Sequence, residues 1–264
     1  MSAKPFLKWA GGKRQLLPHL AEHAPAKQFV YHEPFLGGGA LFFHLQPKKA
    51  FLTDSNVRLI RTYQGVRDQV ENVIDELSSF KHSKSFFQKM RARSIDGASD
   101  SEVAAWFIYL NRTSFNGLYR VNSKNVFNVP IGRYKNPTIC NAELLRACSL
   151  ALRSAVLSVA DFSSVVDRVK RGDFVYLDPP YVPLTTTSHF TSYTSTGFGD
   201  ADQVRLRDVA TKLKKRGASV LISNSSAPRV HELYRDFERK VLAARRNVNN
   251  RGDGRGPVPE LLIY

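Results

Sequence analysis

Asp178-Pro179-Pro180-Tyr181 gathers more chemistry into four residues than any other stretch of this chain. It directly follows an apolar run, Phe174–Leu177, that reads as a strand. A carboxylate, a proline-stiffened turn and an aromatic ring therefore stand together at a strand's carboxyl end, the edge at which open α/β sheets bind ligands. The set suits a planar exocyclic amine such as that of adenine, whose lone pair is delocalised into the ring. Asp178 and the Pro179 carbonyl can accept its N–H groups and draw the nitrogen toward tetrahedral geometry. Pro179 and Pro180 contribute no N–H, so the backbone stays acceptor-rich and rigid, and Tyr181 offers a face for stacking a base. A strand closed by a Pro-Pro turn over a core tyrosine would share this sequence.

Two further groups carry potential chemistry. Residues 29–35 (FVYHEPF) read as a buried strand running into Gly37, Gly38 and Gly39, after which residues 40–45 begin a helix. Glycines in a strand-to-helix turn let a ligand approach the backbone, although tight packing alone would also call for them. The next apolar run, 50–53, ends at Asp54, an acid placed to accept from ribose hydroxyls. Near the start, Lys8-Trp9-Ala10-Gly11-Gly12-Lys13 sets two cations and an indole around a glycine pair, or else forms a solvated basic tail.

These groups need a sheet to position them, and the pattern predicts one. Strand, glycine turn, helix, strand is the unit of a parallel sheet. Short apolar runs return at 155–159, 174–177 and 219–222, as expected of strands covered on both faces. Leu206, Val209, Ala210 and Leu213 mark a helix stopped by Gly217. From Val57 to Pro137 the chain turns polar, basic and helical. Residues 101–112 are apolar on more than one face, with Asp100 or Ser101 available as a cap. Residues 111–134, rich in Asn, Gly, Arg and aromatics, suit a ligand-contacting loop or hairpin better than a core element. Residues 247–258 read as a loop before a last apolar run, 261–264. The expected organisation is a sheet domain in two parts, 1–56 and 139–264, around an inserted lobe, 57–138.

Composition narrows the partners. The chain's 264 residues suffice for one large core or a core with an inserted lobe. A formal charge of +16 would attract a polyanion, nucleic acid foremost. Cys140 and Cys148 lie outside any disulfide framework or zinc-ligand spacing, and no metal is expected. A phosphate-binding G-x-x-x-x-G-K-[ST] pattern is absent, which argues against a nucleotide triphosphatase. No apolar run has signal-peptide or membrane-spanning length, so a soluble cytoplasmic protein, with no membrane partner, is expected.

Taken together, FLKWAGGK, EPFLGGG, the acid after the next strand, the polar lobe and then DPPY resemble the Dam-type, or D12 class, DNA adenine-N6 methyltransferases. The motif order matches as well, and the resemblance spans nearly the whole chain, including 111–134 and HFTSY at 189–193. It implies a Rossmann-like S-adenosylmethionine-dependent methyltransferase sheet with an inserted helical and hairpin target-recognition domain. It implies that Trp9, Lys13, Asp54 and Asp178 line the S-adenosylmethionine pocket over a floor of Phe35, Gly37 and Gly39. Asp161, in ADF where the family often has GDF, would accept from the cofactor's adenine amine. Asp178, Pro179, Pro180 and Tyr181 would hold a target adenine flipped from duplex DNA, and methyl would pass in one step to N6. On the hairpin, Arg120 would read a guanine, and Leu118 and Pro130 a thymine methyl. Phe115 would wedge into the duplex and Lys8 would touch a base at the other end of the site, with Asn116 and Arg133 completing the DNA-facing set. GATC is the implied target and a monomer the expected state.

Two other readings compete. A methyltransferase acting on RNA or a protein amide could use the same acid-Pro-Pro-Tyr arrangement. A basic DNA-binding module could keep the fold without turnover.

Overall fold

The computed structural model describes residues 2–13, 15–182, 198–245 and 257–264. The HFTSY segment and most of the 247–258 stretch lie outside the described residues.

In chain order the elements are α1 (Leu17–Ala21), β1 (Tyr31–Glu33), α2 (Ala40–Leu45), β2 (Ala50–Asp54), α3 (Val57–Asp68), α4 (Val70–Ser79), α5 (Lys84–Ala92) and α6 (Asp100–Thr113). After a bridged loop come α7 (Ala142–Leu152), β3 (Ala155–Val159), β4 (Phe174–Leu177), α8 (Asp200–Lys215), β5 (Ser219–Ser225), α9 (Pro228–Leu233), β6 (Arg239–Arg245) and β7 (Pro257–Ile263). One seven-stranded sheet has the order β3-β2-β1-β4-β5-β7-β6. Its first five strands are parallel, and β7 runs antiparallel to both β5 and β6. Strand order reverses between β1 and β4, which opens a crevice there at the carboxyl edge. The glycine turn leaves β1 and Asp178 leaves β4, so the two strongest motifs flank that crevice.

Alternation explains why the central strands are continuously apolar. On β4, Phe174 and Tyr176 join one core while Val175 and Leu177 join the other. Leu262 on β7 likewise faces the first core and Leu261 and Ile263 the second. β3 departs from the expectation that every short run is covered on both faces. It lies at the sheet's edge, and Val156 and Val159 are exposed. Strand boundaries also shift: the buried run 29–35 supplies a strand only at Tyr31–Glu33, β5 continues past 222 to Ser225, and β7 already begins at Pro257, inside the stretch read as loop.

α6 is the central helix of the 57–138 segment. Val103 to Leu110 are all buried, which matches apolar residues on several faces. Its cap is Ser99 rather than Asp100 or Ser101. The Ser99 side chain accepts from the Glu102 backbone N–H, and Glu102 reaches back to the Ser99 N–H, the reciprocal pairing that satisfies two free helix-end donors. Asp100 pairs instead with Arg61 at 2.6 Å. α3 packs against α6, α7 and the β2 and β3 strands. At Gly65 on α3 an added Cβ would stand 2.3 Å from the Asp100 carbonyl oxygen and 2.9 Å from Ala104 Cβ. Gly65→Ala therefore forces α3 and α6 apart. We expect a loss of about 1–3 kcal/mol despite the better helix propensity of alanine, read as a lower urea midpoint at unchanged m-value. An unchanged midpoint would show that the helices yield freely.

Candidate functional site

Lys13 is the hub of the site. Its side chain is 4% exposed, so it is no solvated tail, and Phe6 and Leu7 before it are buried as well. The Nζ stands 2.9 Å from Asp178 Oδ1 and 3.6 Å from Glu260 Oε1, donates to the Gly11 carbonyl at 2.7 Å, and lies 4.7 Å from the centre of the Tyr181 ring. Tyr181 donates its hydroxyl to Glu260 Oε1 at 2.5 Å. Two carboxylates and an aromatic face offset the cost of burying this ammonium. Burial lifts Asp178 to about 6, the Glu260 charge adds to the rise, and Lys13 pulls against it.

The Asp178–Tyr181 loop is pinned from behind. Gln203 on α8 donates to the Pro180 carbonyl at 2.9 Å, and Asn224 on β5 receives the Val182 N–H at 3.3 Å and donates to Gln203 at 3.1 Å. Ser225 donates to the Val182 carbonyl at 2.6 Å. These bonds engage the Pro180 carbonyl and both backbone groups of Val182, leaving aside Pro179, whose carbonyl is the one expected to meet an amine.

Across the crevice, the glycine turn is built around Trp9. An added Cβ at Gly37, where φ is +46°, would come within 2.7 Å of the indole Cδ1 and Nε1. Tyr63 on α3 donates to the Gly37 carbonyl at 3.0 Å, and Asp54 accepts from the Gly37 and Asn56 N–H groups at 3.2 and 2.9 Å. Gly39 adopts φ +61° as the N-cap of α2. Burial lifts Asp54 to about 6 against those N–H donors. Phe35 stacks on Phe162 at 5.2 Å, one residue after Asp161. Asp161 is half exposed and takes Ser163 and Arg205 on Oδ1. Burial acts to raise it, but those partners prevail and hold it below the usual carboxylate range.

A second cluster joins this crevice to the hairpin. Trp9, Phe107 and Tyr119 lie nearly parallel, with Phe107 and Tyr119 4.5 Å apart. Buried Asn111 receives the Lys8 N–H at 2.8 Å and donates to the carbonyls of Lys8 and Gly117, each at 2.7 Å. The hairpin is bridged at Ser114↔Ile131 and Val121↔Phe127. Phe115, Asn116, Arg120, Pro130 and Arg133 are exposed, and Leu118 is half-buried. Arg120 donates from Nε to Asn128 at 2.7 Å, and the Lys8 ammonium sits 4.2 Å from the centre of the Tyr134 ring. The reading of 111–134 as loop needs correction in part. Asn111–Thr113 close α6, and Tyr119, Phe127 and Val129 are core, because the hairpin must pack on α6 to hold its shape.

The site thus holds an acid with an aromatic neighbour at one strand end, a glycine turn and an acid at two others, and an exposed basic hairpin beside them. A family model of the D12 class N6 adenine-specific DNA methyltransferases matches residues 9–248. The chain belongs to this family. The methyltransferase is 46% identical to the type II methyltransferase M1.LlaDCHI of Lactococcus lactis subsp. cremoris, covering 100% of this chain and 95% of that one. It is 42% identical to the type II methyltransferase M.MjaIII of Methanocaldococcus jannaschii, covering 100% and 99%. It is 38% identical to a DNA adenine methylase of Vibrio cholerae, covering 98% and 95%. The mixed α/β architecture with its seven-stranded sheet agrees with the S-adenosylmethionine methyltransferase fold expected for the family.

Some residues of the methyltransferase's candidate site escaped the sequence reading. Glu260 was hidden in an apolar terminal run, where one acid among Leu261, Leu262 and Ile263 was the available signal. Glu33, 2% exposed and receiving the Tyr31 hydroxyl at 3.1 Å, was likewise an acid inside an apolar run; burial pushes it well above the usual carboxylate range. Gln203, Asn224 and Phe162 carried no local signal, since their relevance comes from tertiary packing. Among the described residues no helix is long and apolar enough to cross a membrane.

Proposed function

We propose that this methyltransferase uses S-adenosylmethionine to methylate N6 of an adenine extruded from duplex DNA, within the sequence GATC. The observation that carries the reading is the cluster of buried Lys13 with the partly exposed Asp178 and Tyr181 at the β4 edge, facing the glycine turn of β1. The residues across the crevice fit the methyl donor's chemistry. Asp54 suits ribose hydroxyls, the Phe35 and Phe162 faces suit an adenine ring, and Asp161 suits its amine. When bound, S-adenosylmethionine supplies a methyl group made electrophilic by its cationic sulfur. Asp178 and the Pro179 carbonyl accept the two N6–H groups of the extruded base, and Tyr181 stacks on its ring. Asp178 and the Pro179 carbonyl would turn the N6 lone pair toward the methyl that the bound donor would supply, and Asp178 would take the surplus N6 proton and pass it to water. The protein's contribution is positioning and polarisation.

We assign residues 57–138 to DNA reading and 1–56 with 139–264 to catalysis, with α3 also serving as a layer helix of the sheet. Arg120 reads guanine, Leu118 and Pro130 meet a thymine methyl, and Phe115 fills the space left by the flipped base; Lys8, Asn116 and Arg133 complete the contacts. One flipped base needs one active site, so the enzyme acts as an intracellular monomer.

The deciding experiment is tritium transfer from labelled S-adenosylmethionine into duplexes carrying GATC, scrambled GATC, or GATC with N6-methyladenine already in place. Label confined to the unmethylated GATC duplex is expected. Label in every duplex with unmodified adenine would discard the hairpin assignment, and no label would discard the reaction. Arg120→Ala should relax discrimination at one base pair by about 1–3 kcal/mol, measured as the ratio of kcat/KM on GATC and single-mismatch duplexes. An unchanged ratio would remove Arg120 from base reading.

A further inference from the structure

Glu260 reaches the site by a route different from every other acid in it. The acids at 54, 161 and 178 end or follow parallel strands, whereas β7 runs the opposite way and pairs Glu260 with Ser225 at the carboxyl end of β5. Its amino-terminal end is thereby delivered to the same edge. The side chain is 11% exposed, and the three residues after it are fully buried and apolar. A carboxylate in that setting is costly unless its oxygens are engaged. One of them, Oε1, receives the Tyr181 hydroxyl and also lies 3.6 Å from Lys13.

The bonds from Gln203, Asn224 and Ser225 fix the backbone around Tyr181 but leave its ring free to pivot about the side-chain torsions. The hydroxyl bond to Glu260 anchors the far end of that ring. The same oxygen draws Lys13 toward β7 and limits how fully the ammonium can engage Asp178, whose remaining acceptor capacity the substrate amine needs.

We propose that Glu260 is a positioning residue: by holding the Tyr181 hydroxyl and the Lys13 ammonium on one oxygen, it sets the tilt of the stacking ring and the share of Asp178 left for the target amine. The inference rests on the reading that Tyr181 stacks on an extruded base. Glu260 itself touches no substrate, and its effect passes through Tyr181 and Lys13. Misplacing a stacked reactant by about 1 Å is enough to cost on the order of 10²-fold in rate.

The test is a double-mutant cycle of Glu260→Ala and Tyr181→Phe with two readouts, kcat on a methylatable duplex and 2-aminopurine fluorescence with that base at the target position. Tyr181→Phe keeps the ring and removes only the hydroxyl. Each single variant should lower kcat by roughly 10- to 100-fold with KM for DNA within about threefold, and each should alter the fluorescence of the extruded base. The double variant should be no worse than the poorer single one, because both cut the same bond. Glu260→Gln, which keeps an acceptor for the hydroxyl, should restore the fluorescence signature. Additive losses, or a Tyr181→Phe enzyme with wild-type kcat and fluorescence, would overturn the inference. If Glu260→Ala does not fold, Tyr181→Phe and Glu260→Gln cut and keep the bond in turn and still decide it. A wild-type enzyme that shows neither methyl transfer nor a fluorescence response would instead bring down the reading of the site, and the inference with it.

Discussion

Asp178→Ala is expected to lower kcat for methyl transfer by roughly 10²–10³-fold or more while salt-dependent binding to DNA persists, because DNA binding is proposed for the hairpin, where Arg120, Lys124 and Arg133 are exposed, and not for β4. Filter binding across a salt series beside single-turnover labelling separates the two. Near-normal turnover would remove Asp178 from the chemistry, and lost DNA binding would make its role structural. The ionised carboxylate is the stronger acceptor, protonation turns one of its oxygens into a donor, and burial lifts the group from 3.8 to about 6. The rate should accordingly fall as pH drops through about 6. Asp54 is raised to the same range but is proposed to meet the methyl donor, so its protonation should appear in KM for S-adenosylmethionine rather than in kcat.

Lys13→Met should cost about 2–4 kcal/mol of stability at neutral pH, since it leaves the partly exposed Asp178 and the buried Glu260 without their shared cation. The pH dependence has a definite sign. Folded Asp178 keeps its proton to a higher pH than the unfolded chain does, so ionising it opposes folding. That cost is absent below 3.8, grows as pH rises, and is complete above about 6. Lys13 offsets part of it. Without Lys13 the folded pKa climbs further, and the gap in stability between wild type and variant should widen from about pH 4 to about pH 7. Urea unfolding at both pH values measures the gap. A constant gap would mean that Lys13 stabilises something other than the ionised acid.

How much of this was legible in the chain depends on the range of the interaction. The runs 155–159 and 174–177 coincide with β3 and β4, because short apolar strands bounded by turn residues announce themselves locally. The glycine turn and Asp178–Tyr181 were legible for the same reason, as each sits where one element hands over to the next. β6 was not read, since Arg239–Arg245 begins with two cations on an exposed edge and shows no apolar alternation. The position of β3 at the edge was equally hidden, because strand order is a property of the whole sheet and Val156 looks the same covered or bare. Lys13 was assigned to the cofactor pocket by resemblance, and its contact with Asp178 depends on how the first residues cross the crevice. Glu260 shows the limit most clearly: an acid in an apolar run signals an anomaly, but of the partners that explain it Tyr181 lies 79 residues away and Lys13 almost the full length of the chain.

That separation bears on how the protein is made. Lys13 leaves the ribosome long before Glu260, yet the cluster needs both, with the antiparallel strand docked beside β5. The lobe and the first four parallel strands can collapse while synthesis continues, because their pairings are already available. The active cluster cannot. A chain still tethered and short of β7 has Lys13 and Asp178 in place without Glu260, so under the proposed reading the site takes its final geometry only once β7 pairs with β5.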